Sequence, residues 1–460
     1  MSIKNGVKTE MKVLFISASK RWEGRTYREY PYGVGILATI THLAGHEVHI
    51  LDMASDLRDY MDVVKDFQPD IVAISFMSPS VKIASTVIKD ISKNSYCKIV
   101  AGGIHSTLYP KSILEYGANV VMIGEGEPTI LDVLKALDSS NNNIEKELEK
   151  IPNLVFKSKS NEIKYTKKVA QLVNLDELPI MNRDLFDLNL YAHHTILTSR
   201  CCPYGCNFCC SWAPGGKVGR VMSSDRILQE LEWLVNKYGK LTLYWGDEIF
   251  FWTREARMNF CKILKEKKLP IEFIAQLRAD LIDKELIEAL LNVGCVKICI
   301  GAESGSDKLL KTANKKITAS QIEKAISTCV SVGVSCKTWW MVGLPGGDKK
   351  EQLKALDIIE NSMPNEVAVH QFVPLPGSKF WNNAKEYGIN LPSESEFENL
   401  TYYSDPKNVK YDYLSGEELL EILKTYENKL SSLGYVSTDK ATKDSKHVFT
   451  TPFQKTTFNV

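Results

Sequence analysis

From Met11 to about Leu137 short apolar runs alternate with amphipathic stretches. Val13-Leu-Phe-Ile16, Val48-His-Ile-Leu51, Ile71-Val-Ala-Ile74, Lys98-Ile-Val-Ala101 and Val120-Val-Met-Ile123 read as buried strands, while Gly33 to Leu43 and Val81 to Ile91 carry the helical period. This alternation predicts an α/β unit with a doubly wound, Rossmann-like parallel sheet, whose ligands bind beyond the carboxyl ends of its strands. The polar run from Ser139 to Lys150 predicts an exposed connector, and Leu175-Asp-Glu-Leu-Pro179 leads into the next unit.

A second alternating series starts at Thr195. Its strands are expected at Thr195 to Ser199, Leu241 to Trp245, Ile271 to Ala275, Val296 to Ile300, Val334 to Val342 and Glu366 to Phe372. Helical period falls between them at Ser224 to Tyr238, Asp283 to Asn292 and Ser320 to Val332. About six such units predict a partial β/α barrel, with its functional loops after the strands. In Tyr244-Trp245 and Trp339-Trp340, alternation sends one ring of each pair into the barrel and the other under the helices. Past about Asn390 the pattern weakens, and the last 25 or so residues form a polar tail for which the sequence leaves two readings open, disorder or closure over a substrate. The expected organisation is 1–138 for the first domain, 139–188 for a linker, 189–388 for the barrel and 389–460 for a small C-terminal region.

Charge narrows the partners. Lys and Arg total 57 against 56 Asp and Glu, a net charge of +1, which argues against nucleic acid as a bulk electrostatic partner. No apolar run approaches the roughly 18 residues that span a bilayer. The first ten residues carry Lys4, Lys8 and Glu10 without an apolar stretch, so no signal peptide is expected. With 11 cysteines and no export signal, reduced thiols in a cytoplasm are the expectation.

Three of those cysteines, Cys202, Cys206 and Cys209, lie together in Cys-Pro-Tyr-Gly-Cys-Asn-Phe-Cys, directly after the first strand of the second series. Three thiolates so close can wrap one metal centre, but structural zinc and most iron–sulfur clusters take four protein ligands. Three leave a position open for something that is not protein. Zinc is disfavoured because no second Cys or His pair follows at finger spacing, and plain buried thiols are the other alternative. Cys201 and Cys210, on either side, read as packing thiols.

The spacing, with the aromatic Phe208 before the last cysteine, resembles the cluster motif of the radical SAM superfamily. The resemblance implies a 4Fe-4S cluster on Cys202, Cys206 and Cys209, with S-adenosylmethionine chelating the fourth iron and an electron donor such as flavodoxin or ferredoxin as partner. Gly246-Asp247-Glu248, after the second barrel strand, resembles the family's Gly-Gly-Glu element that grips the methionine amino group, with Asp in place of the second glycine. Gly301-Ala-Glu303-Ser304-Gly305 resembles the family's Gly-x-Glu-Ser-Gly segment, where Glu303 is expected to bond a ribose or amino group. Arg278 is a candidate for the methionine carboxylate, or else an ion-pair partner of Asp280. Gly343-Leu-Pro-Gly346 resembles the loop that flanks the adenine.

The first region shows no Gly-x-Gly-x-x-Gly after its first strand, which removes a nicotinamide cofactor. It resembles instead the cobalamin-binding module of cobalamin-dependent radical SAM enzymes, on Pro31-Tyr-Gly33-Val-Gly35, Ala44-Gly-His46-Glu-Val, Gly102-Gly103-Ile-His105 and Gly124-Glu125-Gly126-Glu127. The resemblance implies that these glycines and Glu125 and Glu127 border cobalamin, with Phe76 and Met77 near its lower face. It puts His105 against a corrin amide or the nucleotide tail. The Asp-x-His-x-x-Gly motif that supplies cobalt with an axial histidine is absent, and His42 is expected on the solvent face of a helix.

Together the two modules resemble a cobalamin-dependent radical SAM methyltransferase. Such an enzyme abstracts hydrogen from an unactivated position with a deoxyadenosyl radical and then delivers methyl from methylcobalamin. The alternative within the family is cyclisation, rearrangement or oxidation without net methylation. A methylthio-transferring RNA-modifying enzyme is disfavoured, since Cys97 alone precedes Cys201 and relatives of that kind hold a second cluster near the N-terminus. A non-catalytic cobalamin sensor would not need the open iron. The substrate, a small molecule or a peptide, is not legible.

Overall fold

A computed structural model describes residues 10–19, 29–138, 143–170, 172–211, 218–401, 405–408, 410–442 and 444–452. The chain divides into two compact units, one built on Pro31–Leu190 with the strand that precedes it, the other on Tyr191–Val460.

The first unit runs β1 (Lys12–Ser17), α1 (Tyr32–Leu43), β2 (Glu47–Asp52), α2 (Tyr60–Phe67), β3 (Ile71–Ser75), α3 (Val81–Asn94) and β4 (Lys98–Gly102). It continues through α4 (Gly103–Leu108), α5 (Pro110–Tyr116), β5 (Val120–Met122), α6 (Ile130–Leu137) and α7 (Ile144–Leu148) to β6 (Leu154–Lys157) and β7 (Ile163–Tyr165). The strands lie in the order β2-β1-β3-β4-β5-β6-β7, the first five parallel. Val13, Leu14, Phe15 and Ile16 are all buried, as a strand covered on both faces requires. The order reverses at β1, which opens a crevice beyond the carboxyl ends of β1 and β3.

The expected linker over 139–188 is corrected here. Ser139–Asn142 lie outside the described residues, but β6 and β7 pair antiparallel onto β5 and extend the sheet, burying Leu154, Val155 and Phe156. Four residues are too few to stand out beside so polar a neighbourhood. Beyond them the chain folds back on α1, where a Cβ on Gly35 would come within 2.3 Å of Met181 Sδ. Gly35 is thus a packing glycine.

The second unit begins with β8 (His194–Ile196), the short antiparallel pair β9 (Ser199–Arg200) and β10 (Arg220–Val221), α8 (Ser224–Tyr238), β11 (Leu241–Trp245) and α9 (Arg254–Lys267). There follow β12 (Ile271–Leu277), α10 (Lys284–Leu291), β13 (Cys295–Glu303), α11 (Asp307–Thr312), α12 (Ala319–Val332) and β14 (Ser335–Val342). The rest comprises α13 (Lys349–Leu353), α14 (Ala355–Ser362), β15 (Glu366–Gln371), α15 (Lys379–Asn382), β16 (Ile389–Asn390), β17 (Lys410–Tyr411), α16 (Gly416–Ser432), β18 (Val436–Ser437) and β19 (Val448–Thr450). Local rules set the helices: Ser223 caps α8 by accepting from Arg226 N, and Ile227, Leu231 and Leu234 line its buried face.

All eight strands of the main sheet run parallel in the order β18-β19-β15-β14-β13-β12-β11-β8, a partial barrel. The polar tail contributes to it, since β18 and β19 form one edge, which neither of the two readings left open by the sequence, disorder or a cover, anticipated. The outward face packs under the helices: Trp245 meets Phe260 of α9, and Trp340 is wholly buried. Tyr244 and Trp339 point inward, as alternation requires. Among the described residues no helix is long and apolar enough to cross a membrane.

Candidate functional site

The loop after β8 carries the cysteine triplet, and Asp247 anchors its root. The Asp247 carboxylate, buried, accepts from Thr198 N at 2.6 Å, Ser199 N at 3.0 Å, Trp245 Nε1 at 3.2 Å and the Thr198 hydroxyl. Burial pushes its pKa up to about 6, against the pull of those donors. Four donors consume this carboxylate, so Asp247 is not the ammonium contact that its place in Gly-Asp-Glu suggested. It replaces a glycine of the family element and turns back beneath the loop. Glu248 is the carboxylate on the cysteine side. It is accessible to solvent yet surrounded by protein, as a group on a cleft floor would be, and burial raises its pKa.

The backbone turns at Cys201, with φ of 61°, before delivering the three thiols. Burial pushes all three up, Cys202 to about 11, with neighbouring thiols adding to the rise at Cys202 and Cys209. A metal centre binds thiolates, so loading it displaces these protons. Among the described residues no three such side chains converge on one ion-sized point. Three thiolates from one short loop are the donor type that iron–sulfur clusters take. Cys210 stays a thiol, its pKa raised by burial to about 12.

A second loop, between α11 and α12, grips the cysteine loop. Asn207 N donates to Ala313 O at 2.9 Å, Asn207 Nδ2 to Thr312 O at 2.8 Å, and Asn314 Nδ2 to Gly205 O at 2.6 Å. Asn314 and Lys316 both take positive φ, 51° and 58°, and the turn they make sends Lys315 inward. Lys315, 6% exposed, pairs with Glu303 at 2.8 Å and lies 5.7 Å from the Phe208 ring. Burial alone would lower its pKa, but Glu303 wins and keeps it charged. It is also the foremost positive influence on Cys206. Nothing in Asn314-Lys315-Lys316 distinguishes this lysine from a solvated pair; its role becomes visible only in three dimensions.

Arg278 is otherwise engaged. Its guanidinium stacks 3.7 Å from the Tyr204 ring centroid, pairs with Asp280 at 3.0 Å and donates to Lys315 O at 2.9 Å. It braces both loops, as Lys315 does from the other side through Glu303. Ser304 is buried and its hydroxyl accepts from Ser306 N at 3.1 Å, so it shapes the turn into α11. On Gly305 a Cβ would come within 2.5 Å of the Lys354 and Ala355 backbone. At the end of β14, Tyr413 donates its hydroxyl to Gly343 O at 2.9 Å, which ties the C-terminal segment to the Gly343–Gly346 loop.

In the first unit the predicted residues split into two groups. Gly103, with φ of 90°, is needed by the fold, since a Cβ there would lie 2.7 Å from Ser75 Oγ. A Cβ on Gly33 or Gly102 would meet nothing within 4 Å, so those two leave open surface that a flat ligand can use. Met77 is 55% exposed whereas Phe76 is buried, so Met77 alone reaches the open side. His105 is corrected: it is fully buried, with Nδ1 at 3.0 Å from Ser78 Oγ and its ring between Phe76 and Tyr109, and it can meet neither cobalt nor a corrin amide. The first turn of α4 swings the ring under the sheet end. Gly124 N donates to Thr107 Oγ1 at 3.0 Å, and Glu125 accepts from Val173 N at 3.3 Å. Gly126 packs tightly on Leu37 and Met122, while Glu127 is part-exposed on the same turn. His42 lies exposed on α1, as expected.

Residues 25–134 match the B12 binding domain, and residues 196–359 match the radical SAM superfamily. The chain is therefore a cobalamin-dependent radical SAM enzyme, and its cofactors are a 4Fe-4S cluster, S-adenosylmethionine and cobalamin. It is 28% identical over 437 residues to an uncharacterized methyltransferase of Pyrococcus horikoshii, covering 90% of this chain and 91% of that one. It is 23% identical to the anaerobic magnesium-protoporphyrin IX monomethyl ester cyclase of Cereibacter sphaeroides, over 82% of this chain and 64% of the cyclase. It shares its fold with the radical S-adenosylmethionine methyltransferase TsrM of Kitasatospora setae, solved with cobalamin and a [4Fe-4S] cluster, at a TM-score of 0.74 and 16% identity over 96% of this chain and 93% of TsrM.

Proposed function

We propose that this enzyme transfers a methyl group to an unactivated position of a small-molecule or peptide substrate. The observation that carries the reading is that one chain matches both a B12-binding domain and a radical SAM domain, the latter with a three-thiol loop held by Asp247 and by the loop of Lys315; Gly33, Gly102 and Met77, open to solvent in the first, are the residues we assign to cobalamin. When bound, the cluster with S-adenosylmethionine supplies hydrogen abstraction and cobalamin supplies the methyl group.

In this reading Cys202, Cys206 and Cys209 hold the cluster. Glu248 takes the methionine ammonium, an acid on a cleft floor being suited to a cation. Lys315 takes the methionine carboxylate, and Glu303, freed in part from Lys315, takes a ribose hydroxyl. Tyr204, stacked on Arg278, keeps the cysteine loop in register. The part of the chain before Tyr191 serves cobalamin and the part after it serves the radical chemistry. A small electron-transfer protein of the flavodoxin or ferredoxin kind supplies the reductant, in the cytoplasm.

The test is anaerobic reconstitution with iron, sulfide and cobalamin, followed by product analysis with candidate substrates. Methyl transfer releases S-adenosylhomocysteine together with deoxyadenosine for each product formed. Deoxyadenosine alone favours the second reading, cyclisation, rearrangement or oxidation without net methylation, which the similarity to a cyclase keeps in view.

A further inference from the structure

Arg257, near the start of α9, is one of the largest fully buried side chains of the protein. It runs back past the beginning of the helix, and Nη1 donates to Phe251 O at 2.7 Å. Among the described residues Nε, buried as well, has no acceptor, and no carboxylate pairs with the guanidinium. The two acids nearby are committed elsewhere, Asp283 to Arg254 at 3.0 Å and Asp280 to Arg278 at 3.0 Å. Burial, the strongest influence, holds the pKa of Arg257 below its ordinary value, and Arg254 works in the same direction against Tyr204, Asp283 and Asp280. A buried cation without a counter-ion costs the fold, and the helix dipole disfavours it further at this end of α9. Such a departure from what stability favours is expected at a functional site.

The residue that Arg257 holds is itself out of the ordinary. Phe251 has φ of 46°, in the left-handed region that a bulky side chain enters only when its surroundings keep it there. Its ring lies 4.9 Å from that of Phe250 and 4.9 Å from that of Phe260, and Arg257 secures its carbonyl. One residue earlier, Phe250 N donates to Gln276 O at 2.8 Å. At the other end of the same turn, Thr198, Ser199 and Trp245 fix Asp247. Glu248 therefore sits in a short span pinned on both sides, and Arg257 is part of the far pin. The connection runs through the backbone, since burial is what raises the pKa of Glu248 and the field of Arg257 has no part in it.

We infer that Arg257 is a positioning residue: by holding the Phe251 carbonyl it fixes the turn that presents Glu248 to the ammonium of S-adenosylmethionine. The inference rests on the reading of Glu248 given above and adds the residue that keeps this carboxylate in place. Without the guanidinium, Phe251 relaxes toward negative φ, and Glu248, three residues upstream, moves with it.

The test uses the full-length reconstituted enzyme and reads melting temperature, iron per chain and affinity for S-adenosylmethionine by equilibrium dialysis. Arg257→Met should weaken binding about tenfold. Iron content should stay the same and the melting temperature should hold or rise, because a buried unpaired charge is gone. Arg257→Lys keeps a donor for Phe251 O and should bind within about threefold of the native enzyme. The double variant, Glu248→Gln with Arg257→Met, should bind no more weakly than Glu248→Gln alone, since both changes act through one carboxylate. Additive losses overturn the inference, as does native affinity in the methionine variant. A methionine variant that melts lower, loses iron or fails to fold marks a residue that serves the fold, and overturns it too. A lysine variant as weak as the methionine one rules out the carbonyl contact as the cause. Native affinity in Glu248→Gln would instead sink the reading of Glu248, so the single variant tells the two failures apart. Methylation is not read, and a missing methylated product bears on the proposed reaction alone.

Discussion

Lys315 Nζ lies 2.8 Å from Glu303 Oε1, both nearly buried, directly behind the loop that carries Cys206. A buried pair of this kind couples three things: the end of β13, the loop before α12 and the cluster thiols.

Removing the cation leaves a buried carboxylate without its partner, at a cost of about 3–5 kcal/mol. Lys315→Met should retain iron after reconstitution but raise the KM for S-adenosylmethionine and lower deoxyadenosine formation by about a hundredfold, the equivalent of about 2.7 kcal/mol. A variant with unaltered KM would show that Lys315 serves only the fold.

Asp247 and Glu248 are adjacent yet should fail differently. Asp247→Ala strips the acceptor from Thr198, Ser199 and Trp245 and leaves buried donors unsatisfied, at about 1–3 kcal/mol each. Its expected signature is a lower melting temperature and less than full iron per chain. Glu248→Gln should keep both normal and weaken S-adenosylmethionine binding, measurable by equilibrium dialysis.

The glycines of the first unit offer a paired comparison. Gly103→Ala puts a Cβ 2.7 Å from Ser75 Oγ at a positive φ, so it should destabilise the domain by about 1–3 kcal/mol. A Cβ on Gly102 meets nothing, so Gly102→Val should melt nearly as the native chain does. Its defect should appear as weaker cobalamin retention on gel filtration.

His105 is sealed under the sheet end, so no nitrogen of it reaches cobalt. His105→Gln should leave the electron paramagnetic resonance spectrum of bound cob(II)alamin unchanged. Loss of a nitrogen splitting on substitution would refute that placement.

Much of this protein is legible in the residue pattern because period and spacing are local properties. Strand runs such as Leu241–Trp245, and the three cysteines within eight residues, need no tertiary contact to be read. Where the reading failed, the cause was distance along the chain. Leu154–Lys157 joins the first sheet only by pairing with β5, and Val448–Thr450 joins the barrel only by pairing with β15. Asp247 and Glu248 are neighbours with the same charge, and only the backbone turn sends one under the loop and the other toward the thiols. Lys315 and Lys316 are identical in type, and a positive φ on either side decides which of them is buried.

The sequence by itself therefore determined the two-module architecture and the cofactor set, since each rests on a short motif or on a repeat. Tertiary structure alone decided which acid and which cation stand at the cysteine loop, that His105 is sealed away, and that Arg257 is buried with its donor on Phe251 O. Those are matters of electrostatics and burial, and both depend on what the folded chain brings near, however far apart the residues lie in sequence.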